Sequence, residues 1–259
     1  MVTDRLAQTV REQLRLGRLL PLGGREDGSW ITERAASEVL GRAAAEVADV
    51  RLTTLRIAPA DPDTAESPAV PPPPSALPPG PLRIAAECGA TPAEPFPATA
   101  DRLREVLLGA AADRLGLLVE AVDVRVTEVL EAPAEPPPPA PPHPQPQPPP
   151  QTSPRPPRSA AEGHDPATTA AASAAASVPG VARLAPVLGS PRAVRIEGAH
   201  IRIELAVAAH HRALDVARAV RTAVAQSAPP PAPAPPPATA TAPEGQRPTV
   251  AVLVTAVDP

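Results

Sequence analysis

Val122-Asp-Val-Arg-Val-Thr-Glu-Val129 returns near the C-terminus as Val250-Ala-Val-Leu-Val-Thr-Ala-Val257, with five of eight positions identical. In the first copy valine alternates with polar residues, the period-2 pattern of a strand with one buried face. Upstream, Ala43-Ala-Ala-Glu-Val-Ala-Asp-Val50 returns as Ala174-Ala-Ala-Ser-Val-Pro-Gly-Val181, again with five of eight identical. Leu82-Arg-Ile84 returns as Ile201-Arg-Ile203. Three matches in one order predict a duplicated module, so each copy needs the same fold.

Proline separates the copies. Of 43 prolines, ten lie in Pro59–Pro81, fifteen in Pro133–Pro157 and nine in Pro229–Pro248. Such tracts read as linkers and inserts, since proline lacks the backbone donor that helices and ladders use. The chain divides into an N-terminal helix and loop (1–30), module one (31–131, insert 59–81), a linker (132–166) and module two (167–259, insert 228–248). The expected fold class is α+β: two repeated small modules of helix, β-hairpin, helix and strand, with mixed sheets, joined by disordered proline-rich linkers. The middle tract spans roughly 75 Å if extended at ~3.1 Å per residue, enough to leave the modules' geometry unfixed.

Local signals fill in the elements. Leu6, Val10 and Leu14 recur at helical spacing with arginines between them, an amphipathic segment suited to module one, a partner or a membrane surface. Gly23, Gly24 and Gly28 mark a loop. Thr32 is placed to cap a helix over 33–47. Strands follow at 51–57 and 82–88, a helix at 98–115 ending at Gly116, and a strand at 120–130. Module two reads as a helix at 167–177, a hairpin of 192–197 and 200–208 turned at Gly198-Ala199, a helix at 211–226 and a strand at 249–257. The inserts fall at different points of the two copies. A scaffold that tolerates this is poorly suited to catalysis at those loops.

Composition narrows the function classes. Lysine and tyrosine are absent, and there is one Phe and one Trp, so the cores are Val, Leu, Ile and Ala. One cysteine gives no intramolecular disulfide. No secretory signal and no apolar run of ~20 residues is present, so a soluble cytoplasmic protein is expected. The net charge is −4, arginines are dispersed among acids and stacking aromatics are missing, which argues against nucleic acid.

Candidate chemistry is sparse. Cys88 sits on the apolar phase of a strand, where thiols are usually inert. His200, His210 and His211 have no cysteine or carboxylate at ligand spacing. His143 and His164 fall in linkers. Glu26-Asp27, Asp61/Asp63 and Asp101/Glu105 fall in loops or on a polar helix face, not in a shielded cleft. No phosphate loop or nucleophile elbow is present. No catalytic, cofactor or metal residue is therefore expected. Arg155-Pro-Pro-Arg158 has the form of a polyproline ligand with basic flanks, making Arg155 and Arg158, with Leu6, Val10 and Leu14, the candidate interaction residues.

Val178-Pro-Gly-Val181, Arg195-Ile-Glu-Gly-Ala-His-Ile-Arg-Ile-Glu-Leu205, Val216-Ala-Arg-Ala-Val-Arg221 and Val250–Val257 together resemble the module of the alkaline-shock, envelope-stress-response family of Gram-positive bacteria. Ile31-Thr-Glu-Arg-Ala35, Leu103–Leu107 and Val122–Val129 fit it more loosely. The inserts, the duplication and the N-terminal helix depart from that family's single module. The resemblance implies a non-enzymatic, self-associating cytoplasmic scaffold near the inner face of the membrane. An adaptor holding one protein partner through the N-terminal helix or proline tracts is the alternative.

Overall fold

A computed structural model describes residues 17–131, 165–187, 192–227 and 248–258. The described residues form an α+β fold with two mixed sheets. In chain order they are β1 (Leu19–Leu22), β2 (Ser29–Thr32), α1 (Glu33–Ala45), β3 (Val50–Pro59), β4 (Leu82–Ala90), α2 (Phe96–Gly109), β5 (Val119–Val129), α3 (Pro166–Ala176), β6 (Val181–Leu184), β7 (Val194–Glu197), β8 (His200–Ala208), α4 (Ala213–Ser227) and β9 (Thr249–Asp258).

The small sheet has the order β3-β4-β5, and the large one β1-β2-β9-β8-β6, with β7 also on β8. In the small sheet β4 lies between antiparallel β3 and parallel β5. In the large sheet β8 lies between antiparallel β6 and parallel β9. The order helix, strand, antiparallel strand, helix, parallel strand thus occurs in both. β6 and β7 pair with opposite halves of β8. Together they take the place of the unbroken β3.

Helix formation follows from caps and spacing. The Thr32 hydroxyl accepts the Ala35 N–H at 3.2 Å, and α1 buries Ala36, Val39, Leu40 and Ala43. Pro97 sits in the first turn of α2, where no backbone bond is lost. Thr99, Leu103 and Leu107 form its buried stripe, and Val216, Val220 and Val224 form the matching stripe of α4. Past α2 a π-turn over Ala110–Leu115 closes at Gly116, φ +86°. A side chain there would meet Leu214 of α4 at 2.4 Å, so only glycine lets the two halves approach.

Both halves share one core. Leu103, Leu107 and Ile84 belong to the same buried cluster as Val220, Ile203 and Val252. The packing of α1 spans both sheets, against β3 on one side and β2 and β9 on the other.

Four local devices occur in both halves. After the first helix, Val47 and Val178 donate to Ala44 and Ala175. Asp49 (φ +65°) and Gly180 (φ +92°) then take left-handed backbone, and their carbonyls accept from Thr91 and Ala208. On the last strands the ladder skips Thr127 and Thr255, and their hydroxyls bond the Cys88 and Leu205 carbonyls at 3.5 and 3.1 Å. Finally, Arg104 and Arg221 donate from their Nε to the carbonyls of Val122 and Val250, at 3.0 and 2.9 Å.

Four expectations need correction. Residues 19–32 are not a helix end and loop but the β1–β2 hairpin, which joins the large sheet. Val181–Leu184, to which the sequence assigns no element between the helix at 167–177 and the hairpin, form β6. The strand bulges align Ile84 with Ile201, two residues away from the Ile84–Ile203 match.

The insert 59–81 is not a disordered linker. It lies over the back of the large sheet, burying Val70 against Leu19, Trp30 and Leu253. The Leu19 N–H donates to the Ser75 carbonyl at 3.3 Å, the Leu77 N–H donates back to Leu19 at 2.8 Å, and Trp30 Nε1 donates to the Leu77 carbonyl at 3.2 Å. Proline's missing N–H costs nothing at these positions, because serine and leucine supply the bonds. Residues 132–164 of the linker 132–166 and 228–247 of the insert 228–248 lie outside the described residues, while Asp165 caps α3 and Pro166 begins it.

Candidate functional site

The residues that sequence singled out for chemistry are dispersed. Cys88 is buried inside the small sheet, and burial pushes its thiol pKa up. His200 Nδ1 lies 2.9 Å from Thr249 Oγ1, and burial, then the Arg202 charge, lowers its pKa. His211 packs against Gly180. Asp61 accepts the Asp63 N–H, and Asp101 pairs with Arg104. Among the described residues no three His, Cys, Asp or Glu side chains gather as metal ligands. None of the described helices is long and apolar enough to cross a membrane. Leu6, Val10, Leu14, Arg155 and Arg158 lie outside the described residues, as do His143 and His164.

The asymmetry between the two halves lies at the far edge of each last strand. On β9 that edge is filled. β2 pairs with it in parallel, Ser29 opposite Val252 and Ile31 opposite Val254, and the Val252 N–H reaches the Gly28 carbonyl at 3.1 Å. Arg221, anchored on the Val250 carbonyl, turns its Nη1 to the carbonyls of Glu26 (2.7 Å) and Asp27. Asp27 takes both Nε (2.6 Å) and Nη2 (3.1 Å) of Arg218 and the Gly24 N–H at 2.8 Å. Burial alone would raise the Asp27 carboxyl, but these bonds and the two arginine charges hold it below its ordinary range. The helix thus clamps the hairpin turn while the strand pairs with its arm.

On β5 the same edge is open: among the described residues no strand pairs with it on the side away from β4. Arg104 anchors on the Val122 carbonyl as Arg221 does on Val250, but its Nη1 turns back to Asp101 of its own helix. Val122 therefore points its carbonyl at the open edge. Alternation along a strand turns the N–H and C=O groups of Val124 and Val126 the same way.

The exposed large hydrophobics among the described residues, Leu118 (49%) and Val129 (62%), stand at the two ends of β5. Between them Val122, Val124 and Val126 face the core, while Asp123 and Arg125 are exposed on the outer face. Beyond the strand end lies an open depression of about 600 Å³, lined by Asp49, Arg51, Thr91, Glu128 and Leu130. Arg51 and Glu128 pair across it at 3.0 Å, and the buried Thr91 hydroxyl has no hydrogen-bond partner among the described residues.

Sequence reasoning missed this edge. The repeated strand was legible, but which copy gains an extra neighbour depends on the β1–β2 hairpin, whose two four-residue strands carry no period.

No family model and no curated protein matches the chain. Solved structures of MamM-CTD match part of it. A double variant is 18% identical, with 38% of this chain and 95% of that chain covered and a TM-score of 0.25. A zinc form is 17% identical, with 38% and 87% covered and the same TM-score.

Proposed function

We propose that this chain is a non-enzymatic interaction protein, a duplicated α+β module in which one copy completes its sheet internally and the other takes a partner. The observation that carries this reading is the open far edge of β5, with exposed Leu118 and Val129 at its ends, beside the filled far edge of β9. An unpaired edge presents a row of backbone donors and acceptors and is a ready template for strand addition. The four shared devices support duplication. The resemblance to envelope-stress-response proteins supports a cytoplasmic scaffold at the inner face of the membrane.

The test is affinity capture from cell extract with the wild-type chain and with Leu118→Lys/Val129→Lys. Lysines at both ends of the edge are expected to abolish recovery of whatever the wild type retains. An unchanged set of retained proteins overturns the edge as the interaction site.

A further inference from the structure

We propose that the occupant of the β5 edge is a second copy of this chain, paired β5 to β5 in antiparallel sense about a two-fold axis through Val124. This rests on the reading of β5 as the interaction edge and names its partner. The outward backbone groups fix the geometry. Val122, Val124 and Val126 turn their N–H and C=O groups to the open side, so Val124 pairs with its own mate and Val122 with Val126 of the other copy. The Val122 carbonyl keeps its Arg104 bond, because a carbonyl oxygen accepts two.

Charge then selects the register. With the axis on Val124, Asp123 stands opposite Arg125 of the mate, twice, on the exposed face of the joined sheets. An axis on Asp123 or Arg125 would set like charges face to face. An axis on Val122 or Val126 would leave both residues without a complement. The bulges at Glu120 and Thr127 bound the paired stretch, and the exposed Leu118 and Val129 stand just beyond it at its two ends. Outside that stretch Glu128 keeps its ion pair with Arg51 at 3.0 Å. Two open three-stranded sheets would become one of six strands. Alternating charge along β5 discourages indiscriminate strand addition yet complements itself under this one rotation.

The experiment is sedimentation equilibrium of the full 26.4 kDa chain. The wild type is expected to sediment at twice that mass. Asp123→Arg or Arg125→Asp alone places like charges across the axis and is expected to weaken dimerisation on the order of tenfold to a hundredfold. Mixing the two single variants sets a pair of arginines on one strand against a pair of aspartates on the other, and dimer mass should return. The double variant Asp123→Arg/Arg125→Asp should also dimerise, which additionally shows that the substituted strand folds. A monomeric wild type overturns self-pairing and leaves the edge to another protein. A dimer indifferent to the charges and to Leu118→Lys/Val129→Lys overturns both the register and the edge.

Discussion

β5 and β9 close the same kind of sheet and carry the same bulged threonine, yet they meet opposite fates. β9 is the centre of the large sheet, buried along nearly its whole length, while most of β5 is half-buried or exposed. The difference does not originate in the strands. It comes from a hairpin that precedes the small sheet in sequence but joins the large one, and from one charge on the neighbouring helix. Three residues before the anchoring arginine, α4 has Arg218, which grips Asp27, whereas α2 has Asp101, which grips Arg104. An edge in this setting can be closed or left available by a change this local.

The largest effect should come from the shared core. Leu103 and Val220 hold matching places in α2 and α4, and both are fully buried. Leu103→Ala is expected to cost about 2–5 kcal/mol, and Val220→Ala less, because fewer methyl contacts are lost. Trp30, the single tryptophan, reports the large sheet. Urea unfolding followed by its fluorescence should shift with Leu103→Ala although that residue lies in the other half. A Trp30 transition that does not move would mean that the halves unfold separately.

The left-handed turn sharpens the comparison. A Cβ at Gly180 would meet Val216 and His211 at 2.7–2.8 Å, and its φ is already unfavourable for any side chain. Gly180→Ala should cost about 1–3 kcal/mol. Asp49 already tolerates the same turn, so Asp49→Gly should change stability by less than about 1 kcal/mol. Thermal melts of the two variants side by side decide this, and equal losses would break the equivalence of the turns.

The bulge hydroxyls come next. Thr255 is buried, bonded to Leu205 at 3.1 Å, and its own carbonyl accepts the Thr32 hydroxyl at 3.2 Å. Thr255→Val should cost about 1–1.5 kcal/mol. Thr127 is exposed and its bond is 3.5 Å, so Thr127→Val should stay within about 0.5 kcal/mol. Reversed values from chemical denaturation would show that the small sheet, not the large one, depends on its bulge.

The smallest effect is a pH dependence confined to the large sheet. Burial lowers the folded-state pKa of His200, so its neutral form is favoured in the fold. The stability this provides is complete above the ordinary histidine value of 6.5 and declines as pH falls from there toward the lowered value. Denaturation midpoints between pH 7.5 and 5 should fall in the wild type and fall less in His200→Asn. Parallel slopes would remove His200 from the account.

Helices were legible because their apolar stripes run over three turns or more, and the paired valine strands because they repeat. The class, α+β with mixed sheets, follows from those alone. β1 and β2 were not legible. Leu19-Leu-Pro-Leu22 and Ser29-Trp-Ile-Thr32 are buried throughout, so no alternation marks them, and Pro21 argues against a strand unless its neighbours are known. β6 was hidden by its glycine turn and by the break before β7. The fold of the insert 59–81 depends on Val70 finding a tryptophan far upstream, a pairing no local window contains. The open edge of β5 is a relation between elements, so no single segment could announce it.

The position of β9 in the large sheet has a consequence for synthesis. β1 and β2 leave the ribosome first among the described strands, yet the strand that β2 pairs with is made more than 200 residues later. At ~5–20 residues per second the hairpin waits roughly 10–45 s for it. The insert 59–81 waits as well, since Leu253 completes the surface it covers. Meanwhile the small sheet, all of whose strands lie before residue 130, can form with its unsatisfied border already on view. Under the self-pairing proposed for β5, nascent chains on neighbouring ribosomes would meet through that edge before the large sheet is complete.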